Sequence, residues 1–259
     1  MRRLLIFSDL DGTLLDHETY SYAPAVPAIE QIKARGGLLV LASSKTAAEI
    51  LSLHQELDLG DTPMIVENGA ASITAVAVGS QDAEYRAIRQ VLQSLDAPFR
   101  GFGDMSVAEV SRQTGLDMAA AKRAKARQFS EPGLWEGDAR QQSAFLAALA
   151  RRGISARHGG RYLTLSFGAT KADQMLLLRE KYAPCFTVAL GDAPNDTEMI
   201  AAADRGVIIR NDHSPSLPPL PNELQVLRTD QPGPTGWCTA MLEILCEWDQ
   251  IQKGTASNG

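Results

Sequence analysis

Two acids placed one residue apart, Asp9 and Asp11, are the part of this 259-residue chain best suited to chemistry. They follow an apolar run, Leu4, Leu5, Ile6 and Phe7, and are followed by Gly12 and Thr13. A short uninterrupted apolar run reads as a strand buried on both faces. Its carboxyl end is where open α/β sheets bind their ligands, so acids there are positioned to act. Residues two apart in extended chain share a face, which aims both carboxylates the same way. Like charges that close ionise together only with a cation between them; otherwise one keeps a proton. Both conditions suit a Mg²⁺-dependent reaction with a nucleophile and an acid/base. Taken alone, D-x-D-G is equally a strand ending in an acidic turn.

The elements that must position these acids alternate along the chain. Val26, Ile29 and Ile32 recur at helical spacing before Gly36-Gly37, and residues 37–43 form a second apolar strand. That strand runs into Ser43, Ser44, Lys45 and Thr46, where hydroxyls and the N–H groups of a following helix favour an anion. Thr46 and Glu49 also have the spacing of a capping box. Residues 63–70 read as a third strand broken at Glu67-Asn68-Gly69, a tripeptide that alone is also only a turn.

From 82 to 168 the pattern becomes amphipathic helices interleaved with half-polar strands, an α+β module too long to be a loop. Its aromatics Phe129 and Trp135 suit either a sugar or a core. The alternation resumes where Lys171 opens a helix, and a fourth apolar strand ends in Gly191-Asp192, with Asn195-Asp196 opening the next helix. Residues 224–230 read as an edge strand, 235–251 as a closing helix and the remainder as a frayed tail. The fold expected is α/β: a doubly wound, mostly parallel sheet over 1–81 and 169–259 with right-handed crossovers, interrupted by an inserted α+β domain over 82–168.

Apolar content of 44% and charged content of 22% describe an ordinary globular chain. A net charge of −6 argues against nucleic acid as the partner. No apolar run approaches the roughly 18 residues of a membrane span and no signal-peptide pattern opens the chain, so it is read as cytoplasmic, with no membrane partner. Cys185, Cys238 and Cys246 lack C-x-x-C spacing and are expected to be free thiols. Oligomeric state is left open.

DLDGTLLD, residues 9–16, resembles the first signature of the haloacid dehalogenase superfamily of phosphatases and phosphotransferases, D-x-D-G-T-[LV]-[LV]-D, at every position. The resemblance implies that Asp9 is the nucleophile and Asp11 the acid/base, that Ser43 holds the transferring phosphoryl group, and that Lys171 offsets its charge. G-D-x-x-N-D at 191–196 matches the fourth signature. Asp192 would then join Asp9 and Asp11 around Mg²⁺, with Asn195 or Asp196 reaching the ion through water.

FSEPGLWEGD (129–138), preceded by Arg127, together with HGGRYLTL, SSKT, ENGA and GDAPND, resembles the mannosyl-3-phosphoglycerate phosphatases, which carry an α+β cap of type IIB. That likeness implies a small phosphorylated sugar or glycerate substrate. Its contacts would come from Ser44, Lys45, Glu67, Asn68, Gly69, Arg127, Ser130 and Arg161. Arg127 and Arg161 are the cations chosen for the glycerate carboxylate, since a guanidinium fork matches a planar anion. Glucosyl-3-phosphoglycerate or sucrose phosphate as substrate, a phosphomutase, and a non-catalytic sugar-phosphate sensor are the competing readings.

Overall fold

The first strand, β1 (Arg3–Ser8), is exposed at its first residue and buried at the next five, as an apolar run covered on both faces must be. A computed structural model describes residues 2–159, 161–213 and 216–256. After β1 come α1 (Val26–Ala34), which turns Ala28, Ile29 and Ile32 inward, and β2 (Leu38–Leu41). The middle of the chain contains α2 (Ala47–Glu56), β3 (Met64–Val66), β4 (Ala71–Ile73), α3 (Ala83–Gln93), β5 (Phe99–Gly101), α4 (Val107–Thr114) and α5 (Met118–Ala124). It continues through β6 (Glu131–Trp135), α6 (Ala139–Ala150), β7 (Ser155–Gly159) and β8 (Tyr162–Ser166). The last part is α7 (Lys171–Lys181), β9 (Cys185–Gly191), α8 (Thr197–Ala202), β10 (Arg205–Arg210), β11 (Val226–Pro232) and α9 (Gly233–Ala256).

Five strands form a parallel sheet in the order β11-β10-β9-β1-β2, with β11 at one edge as expected. Register decides what this sheet can do. Ser8 lies opposite both Leu41 and Leu190, so the chain segments leaving β1, β2 and β9 depart at one level. Asp9, Ser43 and Asp192 are thereby delivered to the same carboxyl edge of the sheet.

The described chain separates into two compact units, 1–43 with 171–259, and 44–170. Residues 44–81 group with the 44–170 unit. The reason is visible in the hydrogen bonds of 44–81: Thr46 Oγ1 donates to the Arg123 carbonyl at 2.9 Å, and Glu67 accepts from residues 128–130. β3, expected as a third strand of the main sheet, instead pairs antiparallel with β4.

Within 44–170, β5-β6-β8-β7 form an antiparallel sheet over a core of Ile88, Phe145, Leu149, Ile154, Leu163 and Leu165. Trp135 stacks on Phe145 at 5.1 Å and so belongs to that core. The capping box at α2 is present, with Glu49 N–H on Thr46 Oγ1 at 3.2 Å and Thr46 N–H on Glu49 at 2.8 Å. The closing helix α9 runs to Ala256, beyond its expected end, and residues 257–259 lie outside the described residues. Among the described residues no helix is long and apolar enough to cross a membrane.

Candidate active site

Beyond Ser8 the chain leaves the sheet with Asp9, whose N–H still donates to Leu190 O at 2.9 Å. That bond holds the Asp9 backbone to β9 while its carboxylate enters a cluster of charge. Lys171, the first residue of α7, is 1% exposed and donates from Nζ to Asp9 Oδ1 at 2.5 Å and to Asp196 Oδ1 at 2.7 Å. Asp196 Oδ2 accepts from the N–H groups of Asp192 and Ala193 at 3.3 and 3.2 Å, closing the turn after β9 on itself. This turn requires glycine at 191, because a Cβ there would lie 2.4 Å from the Asp196 Cβ.

Asp192 is gripped from two sides. Thr13 Oγ1 donates to its Oδ1 at 2.7 Å and Asn211 Nδ2 to its Oδ2 at 2.6 Å. Asp9, Asp192 and Asp196 are all buried and each offers a carboxylate oxygen within 4.8 Å of the others. Ionised together, three carboxylates against one ammonium would leave an excess of two negative charges. Burial pushes Asp9 well above the usual carboxylate range, opposed by Lys171. Asp192 is also raised by burial, with the Thr13 hydrogen bond working against it. Burial alone would lower the Lys171 ammonium, but the attraction of Asp196 and Asp9 exceeds it, so this lysine stays charged.

This donor set fits a hard divalent cation. It is all oxygen, has no imidazole or thiolate, and carries a charge deficit that a doubly charged ion removes. Asp11, half-buried, follows in the same turn, and Asn195 is exposed at the start of the α8 segment. Ser43 is buried at the end of β2.

The remaining expected contacts lie in 44–170, and several have internal partners. Glu67 is 2% exposed and its carboxylate accepts from Gln128 N–H at 2.8 Å, Phe129 N–H at 3.2 Å and Ser130 Oγ at 2.6 Å. Glu67 and Ser130, expected on the substrate, are therefore engaged with each other, and Glu67 positions the 128–130 segment. Arg127 donates from Nη1 to Ser44 O at 3.0 Å and lies 4.0 Å from Glu67, while its Nε is buried without a partner among the described residues. Arg161, expected beside the glycerate carboxylate, instead donates to the Gln113 carbonyl and lies 5.3 Å over the Tyr162 ring. Ser44 is exposed, Lys45 and Asn68 are half-buried, and Gly69 is buried. The Lys45 carbonyl accepts from Glu67 N–H at 2.9 Å.

Two contributors have no place in the expected set. Thr13 stands inside the first signature, where the resemblance gives it no role of its own. Asn211 belongs to no motif, and its one sequence-level signal is its position just past the carboxyl end of an apolar strand.

Comparison with known proteins agrees with this geometry. A family model described as haloacid dehalogenase-like hydrolase matches residues 6–96. The glucosyl-3-phosphoglycerate/mannosyl-3-phosphoglycerate phosphatase of Persephonella marina is 31% identical, the alignment covering 97% of this chain and 99% of that protein. Among solved structures, a haloacid dehalogenase-like hydrolase from Bacteroides thetaiotaomicron superposes with a TM-score of 0.67 at 21% identity, covering 94% of this chain and 100% of that one. A subclass IIB sugar phosphatase of the superfamily superposes with a TM-score of 0.64 at 18% identity, covering 93% and 98%. The chain belongs to the haloacid dehalogenase-like hydrolases, and within them to the phosphoric monoester hydrolases.

Proposed function

We propose that this chain is a Mg²⁺-dependent phosphatase of hexosyl-3-phosphoglycerates that releases the hexosylglycerate, with mannosyl-3-phosphoglycerate its principal substrate. The observation that carries the chemistry is Lys171 Nζ, held between Asp9 and Asp196 with Asp192 beside them. A buried ammonium beside a nucleophilic carboxylate opposes the burial that favours its protonated form, and faces the anionic ester. The substrate class is supported by the P. marina relative, whose name gives both the glucosyl and mannosyl esters.

Asp9 attacks phosphorus in line, so that an Asp9 oxygen–phosphorus bond forms as the bond to the leaving alkoxide breaks. Asp11 gives its proton to that alkoxide, then takes one from the water that attacks the aspartyl phosphate, and phosphate leaves. Lys171 and Ser43 donate to phosphoryl oxygens. Asp9, the Asp11 carbonyl and Asp192 would hold Mg²⁺, with Asn195 or Asp196 reaching it through water; the ion supplies charge neutralisation at the phosphoryl oxygens. Recognition of the organic part is assigned to 44–170, with Arg127 the cation best placed chemically for a carboxylate. Of the 44–81 residues, Ser44, Lys45, Asn68 and Gly69 are retained as contacts.

Phosphate release from mannosyl-3-phosphoglycerate, glucosyl-3-phosphoglycerate, sucrose phosphate and simple hexose phosphates tests this reading, with Mg²⁺ or with chelator. Chelator-sensitive preference for the hexosyl-phosphoglycerates is the expected result, and Asp9→Asn should abolish it. Preference for another ester overturns the substrate; appreciable turnover by Asp9→Asn removes Asp9 from the nucleophile role.

A further inference from the structure

The two donors on Asp192 come from different loops, Thr13 from the turn after β1 and Asn211 from the segment after β10. Each carboxylate oxygen receives a hydrogen bond from one of them, which fixes the rotation of the group, and a carboxylate oxygen so bonded keeps a further lone pair for a ligand. The turn carrying Thr13 lies directly against this carboxylate, since a Cβ on Gly12 would be 2.9 Å from Asp192 Oδ2.

Asn211 is itself held. Its Oδ1 accepts from His213 N–H at 2.7 Å, so the end of the amide facing Asp192 is the donating one. The His213 ring stacks on His17 with centroids 4.0 Å apart and planes inclined by 22°. His17 closely follows the turn that carries Thr13. The two loops that grip Asp192 are thus also clasped to each other.

We propose that Asn211 is a positioning residue that sets the divalent-cation affinity of the site through Asp192, with the His17–His213 stack keeping its loop in place. The inference rests on Asp192 being a metal ligand. An uncharged amide donor orients the ligating carboxylate without neutralising it, which a lysine in its place would do. Loss of an outer partner of this kind weakens metal binding by about 10–100-fold in known sites. Without Asn211, Asp192 loses the hydrogen bond that holds its Oδ2.

The test is calorimetric titration of Mg²⁺ into the metal-stripped full chain for wild type, Asn211→Ala, His213→Ala and Asp192→Asn. Asn211→Ala is expected to weaken Mg²⁺ binding by about 10–100-fold, with kcat largely recovered at saturating Mg²⁺. His213→Ala is expected to weaken it less. A merely structural role would lower the melting temperature of the metal-free protein and leave the dissociation constant of the folded protein unmoved. Wild-type affinity in Asn211→Ala, alongside lost binding in Asp192→Asn, overturns the proposal while sparing the metal reading. Wild-type affinity in Asp192→Asn overturns both.

Discussion

The Trp237 indole N–H donates to Ser8 Oγ at 2.9 Å, and that hydroxyl donates to the backbone carbonyl of Asp9 at 2.7 Å. Both side chains are fully buried, so α9, last in sequence, is hydrogen-bonded to the residue before Asp9. Trp237→Phe keeps most of the ring and leaves Ser8 Oγ without its donor, a loss expected to cost about 1–3 kcal/mol in urea denaturation. Adding Ser8→Ala to that variant should cost less than Ser8→Ala alone, because the two changes remove one shared bond. Strictly additive losses would mean that the bond contributes nothing.

Lys171 is the counter-charge of two buried carboxylates. Lys171→Met leaves Asp9 and Asp196 facing each other without it, and removing one partner from a buried ionic cluster costs about 3–5 kcal/mol. Denaturation in chelator should show that loss. Turnover should fall by at least about 10²-fold even with Mg²⁺ saturating, as when a single transition-state donor is removed. Wild-type stability in chelator would show that the carboxylates are protonated rather than paired.

The Glu109 carboxylate is pulled down to about 2, first by the Ser106 backbone N–H, then by the Ser106 hydroxyl and by Arg100. It forms the capping box at the start of α4, accepting from both Ser106 groups at 2.8 Å. A carboxyl lowered on folding stabilises above its unfolded value and loses that contribution as pH falls through its folded one. The advantage of wild type over Glu109→Gln is therefore expected to be constant near neutrality and to vanish between the ordinary glutamate range and about pH 2. A carboxyl NMR titration should give a midpoint near 2 in wild type, raised in Ser106→Ala. An unchanged midpoint in Ser106→Ala would remove the cap as the cause.

The parallel sheet was legible because β1, β2 and β9 are apolar runs bounded by Gly, Ser and Asp, and strands buried on both faces leave that trace. The acids at their ends were legible for the same reason, since a motif tied to a strand end carries its own position. Asn211 was not, because its role exists only once β10 lies next to β9. The partners of Glu67 were not legible for a related reason. Local spacing marks it as a turn residue, whereas its carboxylate belongs to residues 128–130, more than sixty positions away.

That long-range carboxylate makes Glu67 the most informative residue in 44–170. Glu67 and Asn68 both hold left-handed backbone, φ 52° and 62°, which is costly for residues with a side chain. The conformation persists because Glu67 is tied by its N–H to Lys45 and by its carboxylate to Gln128, Phe129 and Ser130. Glu67→Gln is nearly isosteric but turns an NH₂ toward one of three donors, so it should move the 127–130 segment almost as much as Glu67→Ala. If Arg127 recognises the organic part of the ester, a displaced guanidinium loses a charge-assisted contact, raising KM for mannosyl-3-phosphoglycerate by about tenfold. Hydrolysis of p-nitrophenyl phosphate, which has no carboxylate, should then change by less than about threefold, because Asp9, Lys171 and Asp192 are untouched. Equal losses on both substrates would assign Glu67 to stability alone. An unchanged KM in Glu67→Gln, with Arg127→Ala also silent, would take Arg127 out of substrate recognition.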